Sequence, residues 1–337
     1  MKTIYYAAGL TLGLAVLPSL AQAETLRLAH VWPGGSKIDT EIFQAWADSV
    51  EEASDGRLEV QVFPGQTLAK SDATYEAVVD GIADIGATAQ GYTSGRFPLT
   101  QVIEVPGVSN SSRQGSCVLQ KLYDQGDLDQ EYSDSHVLFM FTTGPGYLHA
   151  KEKLLEKPSD LEGMRLRRPT SLVGDMMEDL GAQPVGMPAP DIYTSLQRGV
   201  MDGLSINWEG AKTFRVNELV NYHTEVPLYD LALIATMNKG DYENLPDDLK
   251  KVVDEHSGME WSMKAASVYD ELIKEGRQEA LDAGDEIITI DNPLQDDEWG
   301  PVLKDTVNRY VNDLQEKGLP GAQTYDNVMT LKESCEA

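Results

Sequence analysis

Between Gly163 and Glu209 short apolar runs alternate with helical patterns, and few architectures accept that alternation. GMRLRRP, from Gly163 to Pro169, reads as a short strand carrying Arg165, Arg167 and Arg168. Strand geometry puts Arg165 and Arg167 on one face and Arg168 on the other. A helical pattern follows from Leu172 to Leu180 and closes at Gly181. After AQPVGMP a second helix is expected from Asp191 to Arg198, with Asp191 where helix-starting carboxylates are favoured. VMDGLSINWEG then reads as a strand ending in Asn207, Trp208 and Glu209. Strands and helices in this order, joined by short loops, form βαβ units, so a parallel sheet is expected here. Ligands of such sheets sit beyond the carboxyl ends of the strands.

The arginines stand out because the chain is acidic, with 27 Lys and Arg against 55 Asp and Glu and a net charge of −28. That field disfavours nucleic acid and anionic membranes as partners, since their phosphates need the opposite sign. A small anion is repelled only at long range, and salt screens charges beyond about 10 Å. Local arginines therefore decide whether it binds.

Residues 1–23 begin with Lys2, continue through an apolar middle from Ala7 to Leu20 and finish Ala21-Gln22-Ala23. This is the pattern of a secretory signal peptide cleaved after Ala23, which implies an exported, periplasmic protein. The apolar run is short and broken by Pro18, which argues against a membrane anchor. The chain beyond the leader exceeds one compact core, so two lobes are expected. In an oxidising compartment Cys117 and Cys335 are expected to be bridged, tying the C-terminal tail to the helix around Cys117. Two free thiols are the alternative. The five histidines show no ligand spacing with either cysteine, so neither a metal nor another cofactor is expected.

Candidate ligand contacts fall at the ends of apolar strands. The run from Leu26 empties into a loop with His30 and Trp32, and ADIGATA is followed by Gln90 and Tyr92. Asp39 to Glu52 has the period of an amphipathic helix, with Ile42, Phe43, Trp46 and Val50 facing a core. Val102 to Val108 reads as extended, Arg113 to Asp124 as a helix, and SDLEG as a short helix capped by Ser159. The apolar strand from His136 passes through Gly144-Pro145-Gly146, a crossing between lobes, with Tyr147 just beyond. The run from Leu231 is expected to cross back. A long helical region from Asp247 through Lys274, a strand from Asp285 to Ile290 and a closing helix from Asp296 to Lys317 complete the chain.

In order and spacing, GMRLRRP, GAQPVGMP and the YTSLQRGVMDG run from Tyr193 resemble the solute-binding subunit of tripartite ATP-independent periplasmic (TRAP) transporters. LRLAH at Leu26, VFPGQTLAKS at Val62 and GIADIGA at Gly81 extend the likeness over nearly the whole exported chain. The resemblance implies an α/β fold, a two-lobed, type II-like periplasmic binding protein with a hinge cleft and a long helix spanning both lobes. Residues 24–144 plus 232–272 would form lobe I, and 145–231 plus 273–337 lobe II. It also implies that Arg167 clamps a ligand carboxylate. Guanidinium matches carboxylate geometry and keeps its charge when lobes close around it. Arg165 is expected to be solvated or structural, and Arg168 is left open between binding and structure.

Departures from the family pattern bear on specificity. A second arginine that several members carry twenty residues before the clamp is Tyr147 here, which argues against large dianions. The family's Asn after the D-G run falls on Ile206 or Asn207, and an aromatic common after its M-x segment is Ala189. The candidate site is thus Arg167, Arg168, Tyr147, Asn207, Trp208, Glu209, Gln90, Tyr92, Trp32 and His30. Aromatic faces beside a carboxylate also suit ammonium, so a zwitterion or amino alcohol stands beside a small organic acid as ligand. The expected protein is a monomeric, non-catalytic receptor that hands its solute to membrane permease subunits. A sensory ligand-binding protein is one alternative. An exported enzyme is the other, and it lacks a Ser-His-Asp order, zinc motif, phosphate loop or nucleotide fingerprint.

Overall fold

The computed structural model describes residues 23–335; apart from Ala23, the leader lies outside them. Among the described residues nine strands form one mixed sheet. β1 (Glu24–His30) runs parallel to both β2 (Leu58–Phe63) and β3 (Ile85–Ala89). β4 (Ser135–Ala150) is a strand of 16 residues. β5 (Arg165–Arg168) lies parallel to both β6 (Gln183–Gly186) and β7 (Gly203–Ile206), as the βαβ pattern requires. β8 (Tyr222–Asn238), of 17 residues, pairs antiparallel with β4 along nearly its whole length. The late end of β8 pairs with β3, the late end of β4 pairs with β7, and β9 (Glu286–Thr289) joins the early end of β8. β4 and β8 therefore belong to two lobes at once, one built on β1–β3 and the other on β5–β7. Their register slips between Thr142 and Pro145 around Gly144, whose φ of 73° is open to glycine without a Cβ penalty.

Helices cover the sheet: α1 (Ala45–Ala53), α2 (Thr74–Val79), α3 (Ser112–Asp124), α4 (Ser171–Asp179), α5 (Ile192–Gln197) and α6 (Trp208–Thr213). α7 (Lys239–Asn244), α8 (Asp247–Glu255), α9 (Met259–Ala283), α10 (Trp299–Glu316) and α11 (Gly321–Ser334) follow. Among the described residues no helix is long and apolar enough to cross a membrane.

Several local expectations change for identifiable reasons. The helix expected from Asp39 opens as a π-helical segment, Ile38–Gln44, before α1, although Ile42, Phe43, Trp46 and Val50 are all buried as its period requires. The stretch from Val102 is not all extended. Residues Thr100–Glu104 form a 3-10 turn, because the Glu131 carboxylate accepts from the N–H groups of Leu99 (2.6 Å) and Thr100 (2.9 Å) at its start. The turn Pro158–Leu161 is capped by Asp160, which accepts from the Lys157 N–H at 3.1 Å, and not by Ser159. The long helical region is cut at Gly258, which has φ 68° and donates its N–H to Leu138 of β4. What remains, α9, is 25 residues long and touches α3 in one lobe and α6 in the other. α11 was not foreseen as a separate helix. Although it falls in the span expected of lobe II, it packs on α3 and is tied there by the Cys117–Cys335 disulfide.

α6 and α9 meet at Gly276. A Cβ there would lie 2.1 Å from the carbonyl oxygen of Trp208, which is backbone and cannot swing away. Replacing a helical glycine by alanine ordinarily gains about 0.5–1 kcal/mol. Here the sign is expected to reverse: Gly276→Ala loses about 1–3 kcal/mol through overpacking, read as a lower urea midpoint at unchanged slope. An unchanged or higher midpoint would show that α6 can shift at no cost.

Candidate functional site

β5 carries Arg167 to the carboxyl end of the sheet, where its side chain is 1% exposed. Its Nε donates to the Met187 carbonyl (3.0 Å), Nη1 to the Ser205 carbonyl (3.0 Å) and Nη2 to Tyr92 Oη (3.4 Å). Tyr92 comes from the other lobe, just after β3, and its hydroxyl also accepts from the Ala189 N–H at 3.0 Å. All three of Arg167's acceptors are neutral, and two of its five N–H donors are left over. Among the described residues it forms no ion pair, whereas Arg165 pairs with Asp202 at the surface, 2.5 Å away. Two buried carboxyls, Glu104 and Asp230, do not pair with it. Burial pushes Glu104 up to about 8 and Asp230 up to about 7.

Asn207 does not end a strand. It caps α6, its Oδ1 accepting from the Gly210 N–H (2.9 Å) while its Nδ2 donates to the Thr143 carbonyl (2.6 Å). Asparagine is a favoured N-cap, and that preference sets the chain into a helix one residue after β7. Successive helical residues point about 100° apart, so Trp208 and Glu209 part company. Trp208 turns into the second lobe's core between His149 and His223, its indole N–H donating to Glu225 at 2.8 Å. Glu209 faces the cavity, 2% exposed, with no partner for Oε1. Burial pushes its carboxyl up to about 7.

The cavity between the lobes is tight: its empty space, mouth included, is about 450 Å³, but only about 40 Å³ of that admits the centre of a water molecule. Of the residues singled out from sequence, Arg167, Tyr92, Trp32, Asn207 and Glu209 line it together. The others stand off its wall. His30 is buried with its Nε2 3.0 Å from Asp39 Oδ1 and its ring stacked on Phe43. Gln90 is fully buried. Tyr147 sits on β4 opposite Ile206, and burial pushes its hydroxyl up to about 12. Arg168 packs along Gly174 and Gly186 and borders a separate groove with Gly91 and Ser171. Sequence reasoning missed Tyr229, Tyr269, Phe214 and Thr143, which also line the cavity. For Tyr229 a signal existed: it shares the two-residue period of Leu231 and Leu233 on β8. Tyr269 lies in the middle of α9, and only tertiary packing brings it here. No cluster of three or more His, Cys, Asp or Glu among the described residues could hold a metal.

The fold is shared with known proteins. The family model DctP, bacterial extracellular solute-binding protein family 7, matches residues 28–313. A TRAP solute-binding protein of an unidentified marine-metagenome microbe, specific for aromatic acids and crystallised with 3-hydroxybenzoate, aligns with a TM-score of 0.89. It is 31% identical, over 94% of this chain and 100% of that one. The TRAP solute-binding protein of Rhodoferax ferrireducens T118, in complex with copurified benzoate, gives a TM-score of 0.85 at 31% identity, over 93% and 98% of the two chains. The 2,3-diketo-L-gulonate-binding periplasmic protein YiaO of Escherichia coli K12 is 23% identical over 320 residues, 90% of this chain and 93% of that protein. By the extent of the family match and by these likenesses, the chain belongs to the TRAP solute-binding proteins of bacterial extracellular solute-binding protein family 7.

Proposed function

We propose that this protein is the periplasmic, non-catalytic receptor for a small aromatic monocarboxylate, which it closes upon with Arg167 and yields to the membrane permease components of a TRAP transporter. The observation that carries the reading is the Arg167 guanidinium, buried at 1% exposure on the cavity wall with neutral partners only. A buried cation without a counter-charge is strongly disfavoured, and a carboxylate accepting its two free N–H groups supplies both charge and geometry. A single cation on the wall suits a monoanion. The rest of the wall, with Trp32, Tyr92, Tyr229, Phe214, Leu231 and Leu233, suits a flat apolar body. The aromatic acids bound by the marine and Rhodoferax relatives agree with that choice. In this reading the lobes, residues 24–144 plus 232–272 and 145–231 plus 273–337, bend at the Gly144 and Leu231 crossings, with α11 riding on the first lobe.

The test is a thermal-shift panel on the disulfide-intact protein. Benzoate and substituted benzoates are expected to raise the midpoint, a hundredfold excess over Kd adding about 2.7 kcal/mol. Choline, alkylamines and aliphatic dicarboxylates are expected to leave it unchanged. A panel in which amines shift the midpoint and no carboxylate does would sink the reading.

A further inference from the structure

Two polar atoms on the cavity wall are not used by the carboxylate clamp. Glu209 Oε1 and Tyr269 Oη belong to residues 2% and 0% exposed, and among the described residues neither has a partner at normal hydrogen-bond geometry, although Trp32 lies near the Tyr269 hydroxyl and Thr213 and Asn207 near the Glu209 carboxyl. They come from different helices, the first turn of α6 and the middle of α9, which the bare Gly276 allows into contact. Glu209 is near enough for its charge to bear on the Tyr269 hydroxyl, whose titration burial and that charge both raise. Arg167 forms no ion pair with Glu209 among the described residues, and its own contacts are Met187, Ser205 and Tyr92.

A donor and acceptor inventory narrows what fits there. An unpaired carboxyl oxygen needs a donor, and an unpaired phenol O–H needs an acceptor. A hydroxyl is both at once: it donates to Glu209 Oε1 and accepts from Tyr269 Oη–H. An ammonium only donates, which leaves the Tyr269 O–H unmet. A carboxyl pushed up to about 7 is also only partly charged at neutral pH, a weak counter-ion for a buried cation. An unsubstituted ring leaves both groups buried and dry, which is costly.

We propose that Glu209 and Tyr269 form a hydroxyl-recognising pair, so that the ligand is an aromatic carboxylate bearing a hydroxyl remote from its carboxylate. The proposal rests on Arg167 taking the carboxylate.

Calorimetric titration of the wild type, Tyr269→Phe and Glu209→Gln tests it. The probes are benzoate, its 2-, 3- and 4-hydroxy derivatives, and 3-(aminomethyl)benzoate. The better of 3- and 4-hydroxybenzoate is expected to bind wild type about tenfold or more tighter than benzoate. 2-Hydroxybenzoate is expected to gain nothing, because its hydroxyl lies beside the carboxylate. Each substitution is expected to remove most of the hydroxyl advantage, hydroxybenzoate weakening while benzoate, which no longer dries an unmet polar group, binds at least as tightly as to wild type. Tyr269→Phe deletes only a hydroxyl that makes no hydrogen bond of normal geometry among the described residues, so the fold is expected to persist. Equal wild-type affinity for benzoate and every hydroxybenzoate overturns the pair while leaving the Arg167 reading intact. So does a parallel loss of benzoate and hydroxybenzoate in the variants, or a preference for the aminomethyl compound. If no aromatic carboxylate binds at all, the Arg167 reading fails and the pair fails with it.

Discussion

Arg167→Ala is expected to lose the carboxylate ligand almost entirely. Truncating one partner of a buried, hydrogen-bonded charge pair costs roughly 2–5 kcal/mol, which is about thirty- to several-thousand-fold in Kd. Arg167→Lys should recover little, because an ammonium keeps the charge but not the planar fork that reaches Met187, Ser205 and a carboxylate together. The unliganded variant supplies the control. The wild-type cation is buried without a counter-ion, so removing it relieves an electrostatic penalty while giving up three hydrogen bonds to neutral acceptors. Its ligand-free unfolding midpoint should therefore move far less than its affinity. Two outcomes count against the clamp: a variant that still binds aromatic acids, or one that loses stability and affinity in proportion. The second would mean that Arg167 mainly ties β5 to β7 and to Tyr92.

The second large effect concerns the fold. The Cys117–Cys335 disulfide closes a loop with a sequence separation of 218. In the chain-entropy picture a loop that long confines the unfolded chain by about 5 kcal/mol, a sizeable share of the roughly 5–15 kcal/mol that holds a typical domain together. The double variant Cys117→Ser, Cys335→Ser should thus unfold at a much lower guanidinium concentration than the oxidised protein. Neither cysteine lines the cavity, so ligand affinity measured well below the transition should match wild type. A stability loss under about 1 kcal/mol would mean that native packing of α11 on α3 persists in the denatured reference state, leaving the bridge little to constrain.

The parts of this architecture written in local chemistry could be read directly. The strand and helix alternation around Arg167 is carried by apolar period and by Gly181 at the end of α4, and both are local. The three arginines stood out as a basic knot in an acidic chain, and the resemblance to the TRAP solute-binding subunits singled out Arg167 among them. Trp208 and Glu209 could not be told apart while Asn207 was taken for a strand residue. Alternation and helical rotation aim the pair differently, and the choice between them is made by one capping hydrogen bond to Gly210. His30 was drawn toward the cleft by its place at a strand end, because the carboxylate that holds it, Asp39, lies in the next helical segment. Tyr269 was illegible for a different reason: a tyrosine inside a long amphipathic helix looks like core until the helix is seen to cross both lobes. The same holds for α11, whose attachment to α3 is a long-range fact.

The two long strands have a mechanical consequence. A single connecting loop would let the lobes swivel and splay, so the open protein would be a broad ensemble whose narrowing opposes every capture event. β4 and β8 lie side by side, hydrogen-bonded to each other, and α9 crosses between the lobes as well. In the closure proposed above they would act like a leaf spring, stiff to shear and twist and yielding chiefly to bending about one axis near Gly144. An open form would then be almost as ordered as the closed one, and closure would lose little conformational entropy. Differences in affinity between two solutes should accordingly report the contacts each makes inside the cavity, undiluted by the ordering of the protein around them.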